Sequence, residues 1–530
     1  MPPEIAPSTL KSWLSDGAEI ALFDVREHGQ YGCGHAFFAV PLPYSRFETG
    51  LPALAPNPAV RLVLCDGGDG VAARVAVRAA TLGYRNVAVL AGGAPAWRQA
   101  GYTLYEGVNV PSKTFGEIVE QQRHTPRVTA QRVAAMQAAG EDFVIVDGRP
   151  FAEYTRMNIP GSVCCPNGEL ALRIADIAPD PATKIVVNCA GRTRSIIGAQ
   201  TLIDIGVPNE VFALENGTQG WLLAGLALEH GASRRYPEET APGDAEALRR
   251  RARRFAEANG AAFVAPGEAE DWLADGTRTT FLFDVRTEGE FAGSGISGFA
   301  HAPGGQLIQA TDQWVGVKGA RIIVIDREEV RAPVVAGWLR QLGHDAFVLD
   351  GGTAAAAAHR FRRVIPAPAD LVQLEPVSVA EAAEGLRRGA VRLLDLRAGM
   401  SYRRGHIAGA TWTIRPRIVK DLGAAGAARA VVLVADDPDI ATLAAIDLRA
   451  SGAREIGILA GGFEAWRSAG LPVAVTPGQP ADAECIDFLF FTHDRHSNPD
   501  AARRYLAWET SLPEALDAQE LGVFRPMRDA

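Results

Sequence analysis

One of the six cysteines in this 530-residue chain stands where a thiolate could be held and used. Cys189 closes the apolar run KIVVNC. It is followed by Ala190, Gly191, Arg192, Thr193, Arg194 and Ser195, after which IIGAQTLIDI carries a helical pattern. The thiolate is the reactive form of cysteine, and its charge must be stabilised. A strand ending at Cys189 and a helix running from Ser195 to near Ile205 set a helix N-terminus beside the sulfur, with unpaired N–H groups and a partial positive charge. A tight turn over the cysteine aims several N–H groups at one point and forms an anion nest, and Gly191 eases that turn. Arg192 and Arg194 add two fixed positive charges that favour the thiolate and attract an anionic substrate. The chemistry expected is nucleophilic covalent catalysis in a ping-pong cycle, with no separate base needed for a thiolate already formed. The plainer alternative is a buried cysteine closing a core strand. A glycine-containing loop with two arginines argues against it.

The elements that must position this loop recur four times. Each copy opens with a short apolar strand ending in an acidic residue with an arginine two positions on: ALFDVRE (Asp24, Arg26), VIVDGRP (Asp147, Arg149), FLFDVRT (Asp284, Arg286) and LLDLRAG (Asp395, Arg397). A second apolar strand follows, ending at Cys65, Cys189, Asp326 and Ala435 in turn. After a loop and a helix, a third strand runs into glycines in VAVLAGG, VFALENG, AFVLDGG and IGILAGG. Copies one and four close with GGxxAW at Trp97 and Trp466. Copy two keeps Gly217 and Trp221, and copy three keeps Gly351 and Gly352 without a tryptophan. Short, continuously apolar strands separated by helical patterns argue for an α/β chain of parallel sheets covered by helices on both faces. In such sheets ligands sit at the carboxyl ends of strands, where the Cys189 loop falls. The units are placed at 5–110, 122–235, 260–365 and 375–476. A charged linker spans 236–259, and 477–530 is a C-terminal extension with a helical pattern in AARRYLAWETSLPEALDAQE.

Asp-Val-Arg after a strand, a cysteine ending the next strand and a closing GGxxAW together resemble the rhodanese domain, in four copies covering nearly the whole chain. The segment VNCAGRTRSIIGAQTLIDIGV is similar to the family's active-site loop of cysteine, four residues, arginine and serine, here Cys189, Ala190 to Thr193, Arg194 and Ser195. The resemblance implies four tandem rhodanese-like domains, each a parallel sheet flanked by helices, plus a C-terminal helical extension. It implies a sulfurtransferase that takes a sulfane sulfur from a donor such as thiosulfate onto Cys189 and passes the persulfide sulfur to a thiophilic acceptor, cyanide or a thiol, with no metal or organic cofactor. Related phosphatases carry one more residue between cysteine and arginine, so a phosphatase or arsenate reductase is disfavoured. The basic loop favours thiosulfate or another anionic persulfide donor over mercaptopyruvate. A rival reading is a persulfide carrier or protein-docking scaffold with little turnover, since two of the four loops lack a cysteine.

The other copies differ at the loop. Cys65, a second candidate site, is followed by DGGDGVAA, with Gly70 in place of the arginine and Asp66 and Asp69 bringing negative charge, which should raise the thiol and repel thiosulfate. Asp326, with Arg331 at the arginine position, and Ala435 cannot carry a persulfide, so copies three and four are expected to be structural or docking domains. The recurrence of Arg26, Arg149, Arg286 and Arg397 argues for a structural ion pair, with Arg149 also a candidate for the Cys189 pocket. Cys164 and Cys165 are read as packing residues, with receipt of sulfur from Cys189 as the sharper alternative. Cys33 has no evident partner. His493 and His496 have the spacing of a metal pair but lack a third ligand, so no metal is expected.

Hydrophobic residues make up 47% and charged residues 22%, an ordinary globular balance. The formal net charge of -9 disfavours nucleic acid as a partner, because phosphate binding needs a basic face. The one basic run, Arg249 to Arg254, reads as a solvated helix with Asp244 near its start. Sparse cysteines point to a reducing compartment. With no signal-peptide pattern and no apolar run of membrane-spanning length, a cytoplasmic protein without membrane partners is expected, monomeric or dimeric. Its expected partners are a small anionic sulfur donor and a thiol or sulfur-acceptor protein.

Overall fold

The structure, a computed structural model, describes all residues except 1, 238–243, 363–370, 372, 427–429, 492 and 526–530, and the side chains of 424–426. Each of the four repeats builds a five-stranded sheet of the same topology. Numbered within a repeat, the strands lie in the order 1-5-4-2-3, and all described pairings in these sheets are parallel. In the second repeat the strands are Arg127–Val128, Phe143–Asp147, Val163–Cys164, Lys184–Asn188 and Val211–Leu214. Ile185, Val186 and Val187 in the middle strand are fully buried, as expected where helices cover both faces. The fourth repeat adds an antiparallel pair, His406–Ile407 with Val473–Ala474.

Two recurring motifs fix the repeat. At the end of each opening strand the arginine folds back on its aspartate and reaches a carbonyl eight residues on. Arg149 donates from Nε to Asp147 Oδ1 at 2.9 Å and from an Nη to Met157 O at 2.6 Å. Arg26, Arg286 and Arg397 make the same pair with Asp24, Asp284 and Asp395. The second motif is the turn after the last strand, Gly-Gly in repeats one, three and four and Asn216-Gly217 in repeat two. A Cβ at Gly217, whose φ is +54°, would lie 2.2 Å from Cys189 O, and one at Gly93 or Gly352 would lie 2.4 Å from Asp66 O or 2.3 Å from Asp326 O. The glycine lets this turn press on the backbone of the loop after the fourth strand.

The chain divides into two compact units. The first, residues 1–12, 21–107 and 365–491, holds the sheets of repeats one and four. In its core the fully buried Glu48 and Arg415 pair at 2.6 Å, and the guanidinium lies 4.0 Å from the ring centre of Tyr44. The second, residues 13–20, 108–364 and 492–530, holds repeats two and three and the C-terminal helices. Here the helix Asn167–Ile177 of repeat two meets Gly304–Gln309 of repeat three so closely that a Cβ on Gly168 would lie 2.6 Å from Gly305 N. Trp338 Nε1 donates to Thr201 Oγ1 at 2.8 Å across the same junction. The linker helix is Ala245–Ala258. The Asp244 side chain caps it, and Phe255 seats against Gly337 of repeat three. Its arginines are paired as on a solvated face: Arg250 with Glu246, and Arg253 with Glu257 and Asp350.

Two elements depart from the sequence reading. A helix, Val110–Arg123, precedes repeat two in the gap between the expected units and buries Val110, Phe115, Ile118 and Val119. The helical pattern of the extension forms two helices, Pro499–Ala515 and Ala518–Leu521, because the Asp517 side chain accepts from Glu520 N and caps a new start. The longer one, capped by Asn498, packs on Val110–Arg123 and on Gly217–Leu223.

Candidate functional site

The middle strand of repeat two ends at Asn188, one residue before Cys189, and the following helix begins at Thr193 rather than Ser195. Residues 189–192 make the turn between them. The Cys189 carbonyl accepts from Thr218 N at 2.9 Å and the Ala190 carbonyl accepts from Gln219 Nε2 at 3.1 Å, so the helix Gly217–Leu223 holds the turn. The Cys189 thiol is 3.5 Å from Ser195 Oγ, which donates to Arg192 O at 2.8 Å. Cys189 is only 2% exposed. Among the described residues no carboxylate accepts from the backbone N–H groups of Ala190–Ser195, and Thr193 to Ser195 stand in the first turn of a 12-residue helix, whose dipole favours an anion there.

The two loop arginines, read in the sequence as fixed positive charges beside the sulfur, are each paired with carboxylates. Arg192 is 7% exposed and donates to Glu117 at 2.7 and 2.9 Å, to Glu120, and to Asn216 at 3.2 Å. Burial pushes Glu117 up to about 7 against the pull of Arg192. Arg194 makes a two-pronged pair with Glu153 at 2.8 and 2.9 Å, and Cys189 is among the groups whose charge acts on it. Arg149 gives its hydrogen bonds to Asp147 and Met157 O and is 1% exposed, and the charges of Arg194 and Glu153 act on it.

Residues outside the repeat complete the surroundings of Cys189. From the C-terminal helix, Glu509 accepts from Thr193 Oγ1 at 2.8 Å, and its other oxygen lies 3.0 Å from where a Gly191 Cβ would be. Tyr505 Cε1 is 3.2 Å from that point. Lys113, from Val110–Arg123, donates to the Tyr505 hydroxyl and lies 4.0 Å from Glu509 Oε1. Burial pulls Lys113 down to about 8 and pushes Tyr505 well up. None of these residues was singled out in the sequence, because they lie before and after the repeat whose pattern carried the reading. The one available signal was an amphipathic helix at each place.

The other three loops are closed in different ways. In repeat one the Asp66 carboxylate accepts from Gly68 N and Ala72 N, each at 2.9 Å, and burial followed by Asp24 pushes the Cys65 thiol well up. In repeat three Asp326 accepts from Val330 N and Arg331 N at 3.1 and 3.0 Å. Arg331, fully buried, binds Glu169, Glu290 and Glu328. Ala435 of repeat four offers no side-chain donor or nucleophile. Cys164 and Cys165 are buried, and burial pushes the Cys164 thiol up to about 12 and the Cys165 thiol well up. Cys33 is exposed. Burial pulls His496 down to about 4, and among the described residues no group of three or more metal-ligating side chains occurs. No described helix is long and apolar enough to cross a membrane.

A parallel α/β sheet with a cysteine turn between a central strand and a helix N-terminus defines a class of proteins that hold an anion at the strand's carboxyl end. Within that class the chain belongs to the rhodanese-like domain family, whose model matches residues 6–100, 129–224, 265–359 and 378–469. It is similar to the crystal structure of a thiosulfate sulfurtransferase from Pseudomonas aeruginosa, with 38% identity and a TM-score of 0.91 over 99% of this chain and 100% of that one. It is also 34% identical over 105 residues to an HTH-type transcriptional regulator of Mycobacterium tuberculosis, a match that spans 20% of this chain and 45% of the regulator.

Proposed function

We propose that this chain is a sulfurtransferase that moves a sulfane sulfur from thiosulfate, or a similar anionic persulfide donor, to a thiophilic acceptor through a persulfide on Cys189. The Cys189 thiolate attacks the outer sulfur of thiosulfate. The S–S bond of the donor breaks, sulfite leaves with the electron pair, and a Cys189 persulfide anion remains. An acceptor such as cyanide then attacks the terminal sulfur, the new S–S bond breaks, and thiocyanate departs as the thiolate returns.

The observation that carries this reading is the contrast among the loops. Only the Cys189 turn combines a cysteine with backbone N–H groups that no described carboxylate fills. Those groups suit the thiolate, the persulfide anion and the leaving sulfite alike. Membership of the rhodanese-like family and the likeness to a thiosulfate sulfurtransferase along almost the whole chain support the same reaction class. The donor and acceptor partners are proposed to be small molecules or thiols, with no nucleic acid.

The test is thiosulfate:cyanide sulfurtransferase activity of wild type and Cys189→Ser, with intact-mass detection of one added sulfur after thiosulfate alone. Turnover and the added sulfur should both vanish in Cys189→Ser. Full activity in that variant, or no turnover in wild type, removes the reading.

A further inference from the structure

We propose that Lys113 is the cation that receives the anionic end of the sulfur donor at Cys189, a substrate-binding role supplied from outside the repeat. This rests on the reading of Cys189 as the sulfur-carrying residue.

The argument starts from where the positive charge near Cys189 goes. A sulfonate-bearing donor brings two negative charges to a buried site, and desolvated charge there needs a countercharge. The loop arginines are already matched. Arg192 has carboxylate oxygens of Glu117 at 2.7 and 2.9 Å, and Arg194 has both oxygens of Glu153 at 2.8 and 2.9 Å. Lys113 differs from both. Its hydrogen-bond partner is a hydroxyl, that of Tyr505, and Glu509 Oε1 is 4.0 Å away, beyond hydrogen-bond reach. The ammonium has three donors and a flexible stem, so it can turn one donor to an incoming anion while keeping its 4.0 Å ion pair with Glu509. It is 6% exposed and lies 4.6 Å from the ring centre of Tyr505 and 5.1 Å from that of Trp508, so its stem is enclosed by the C-terminal helix.

Lys113 reaches the loop through two neighbours: Tyr505, whose Cε1 is 3.2 Å from where a Gly191 Cβ would be, and Glu509, whose Oε1 accepts from Thr193 Oγ1 at 2.8 Å. The charged groups acting on Lys113 are Glu509 and Arg495 from the C-terminal segment, and Arg194 and Cys189 from the loop. The Tyr505 hydroxyl stands beside it, and Glu117 lies one turn along its own helix. Its ordinary value is 10.5, and burial brings it to about 8, opposed by Glu509 and Cys189. The charge is therefore present at neutral pH and lost as pH rises through about 8.

The experiment measures thiosulfate affinity by calorimetry in the Cys189→Ser background, where no turnover is needed. Lys113→Met, made together with Glu509→Gln so that no buried carboxylate is left unmatched, should weaken binding roughly tenfold to hundredfold, the size of one charge-assisted hydrogen bond. Glu509→Gln alone is the reference against which that loss is read. Lys113→Arg, which keeps the charge, should retain most of the affinity. With Lys113 present, affinity should fall as pH rises through about 8, and with Lys113→Met it should be flat over that range. Unchanged affinity in Lys113→Met, equal loss in Lys113→Arg, or no measurable thiosulfate binding with Lys113 intact overturns the proposal. Binding that depends on Lys113 in a protein without sulfurtransferase turnover would keep Lys113 as an anion-binding residue and remove the proposed function, and with it the donor-binding role given to Lys113.

Discussion

At the scale of single residues, the four loops show how one backbone design is kept or closed by one side chain. In repeats one and three the turn after the fourth strand brings N–H groups onto an anion. Asp66 and Asp326 supply that anion from the chain itself, accepting from Gly68 and Ala72 in one loop and from Val330 and Arg331 in the other. A loop filled by its own carboxylate has no place for thiosulfate. Cys65 should then be a bystander: its thiol is pushed well up by burial and by Asp24, and the neutral thiol is a poor nucleophile. Cys65→Ser should leave sulfurtransferase turnover unchanged, and Cys65 should resist iodoacetamide in the folded protein. A fall in turnover on that substitution would place a second working site in repeat one. The sequence allowed the negative charge of Asp66 to be seen, but not its direction, since only the folded turn brings the carboxylate onto its own N–H groups. The same limit applied to Arg192 and Arg194. Their presence was legible, while Glu117 and Glu153, which engage them, lie 75 and 41 positions away.

At the scale of elements, the repeats were legible because each strand and turn follows a local rule: apolar strands, the Asp–Arg return and the glycine turn that must press on the loop. The helices that cover Cys189 were not. AARRYLAWETSLPEALDAQE reads as helical from its own pattern, yet nothing in it says which surface it covers. Glu509 and Thr193, which meet, are 316 positions apart. The cover is close enough to be tested by one methyl group. A Cβ at Gly191 would lie 3.0 Å from Glu509 Oε2, 3.2 Å from Tyr505 Cε1 and 3.3 Å from Gln219 Nε2, tighter than ordinary contact on three sides. Gly191→Ala should therefore lift the Pro499–Ala515 helix from the loop at a cost of about 1–3 kcal/mol, the usual range for overpacking. The expected readout is faster amide exchange in that helix, together with reduced turnover. Wild-type exchange rates in the variant would show that the helix does not bear on the loop.

At the scale of the whole molecule, a repeat with a cysteine shares a unit with one that lacks it: one with four, and two with three. This pairing had no local signature, because it depends on surfaces such as Glu48 with Arg415, 367 positions apart. It gives the cysteine-free repeats a physical role, since Arg331 of repeat three meets Glu169 of repeat two at 3.0 Å with no exposure of its own. In repeat three the arginine of the loop has thus become a strut. Removing one partner of a buried pair leaves the other charge uncompensated, so Arg331→Met should destabilise the second unit by about 3–5 kcal/mol. Adding Glu169→Gln should restore part of the loss. The same residue sets an acid limit. Arg331 holds Glu290 at about 2, below its ordinary 4.5. A carboxyl depressed on folding contributes stability above its ordinary value and loses it as pH falls towards the folded one. The stability difference between wild type and Glu290→Gln in urea should be full above pH 4.5 and shrink as pH falls towards about 2. Equal melting of wild type and Arg331→Met, or a Glu290→Gln difference that ignores pH, would mean that the junction of repeats two and three is held by Gly168, Gly305 and Trp338 without help from its charges.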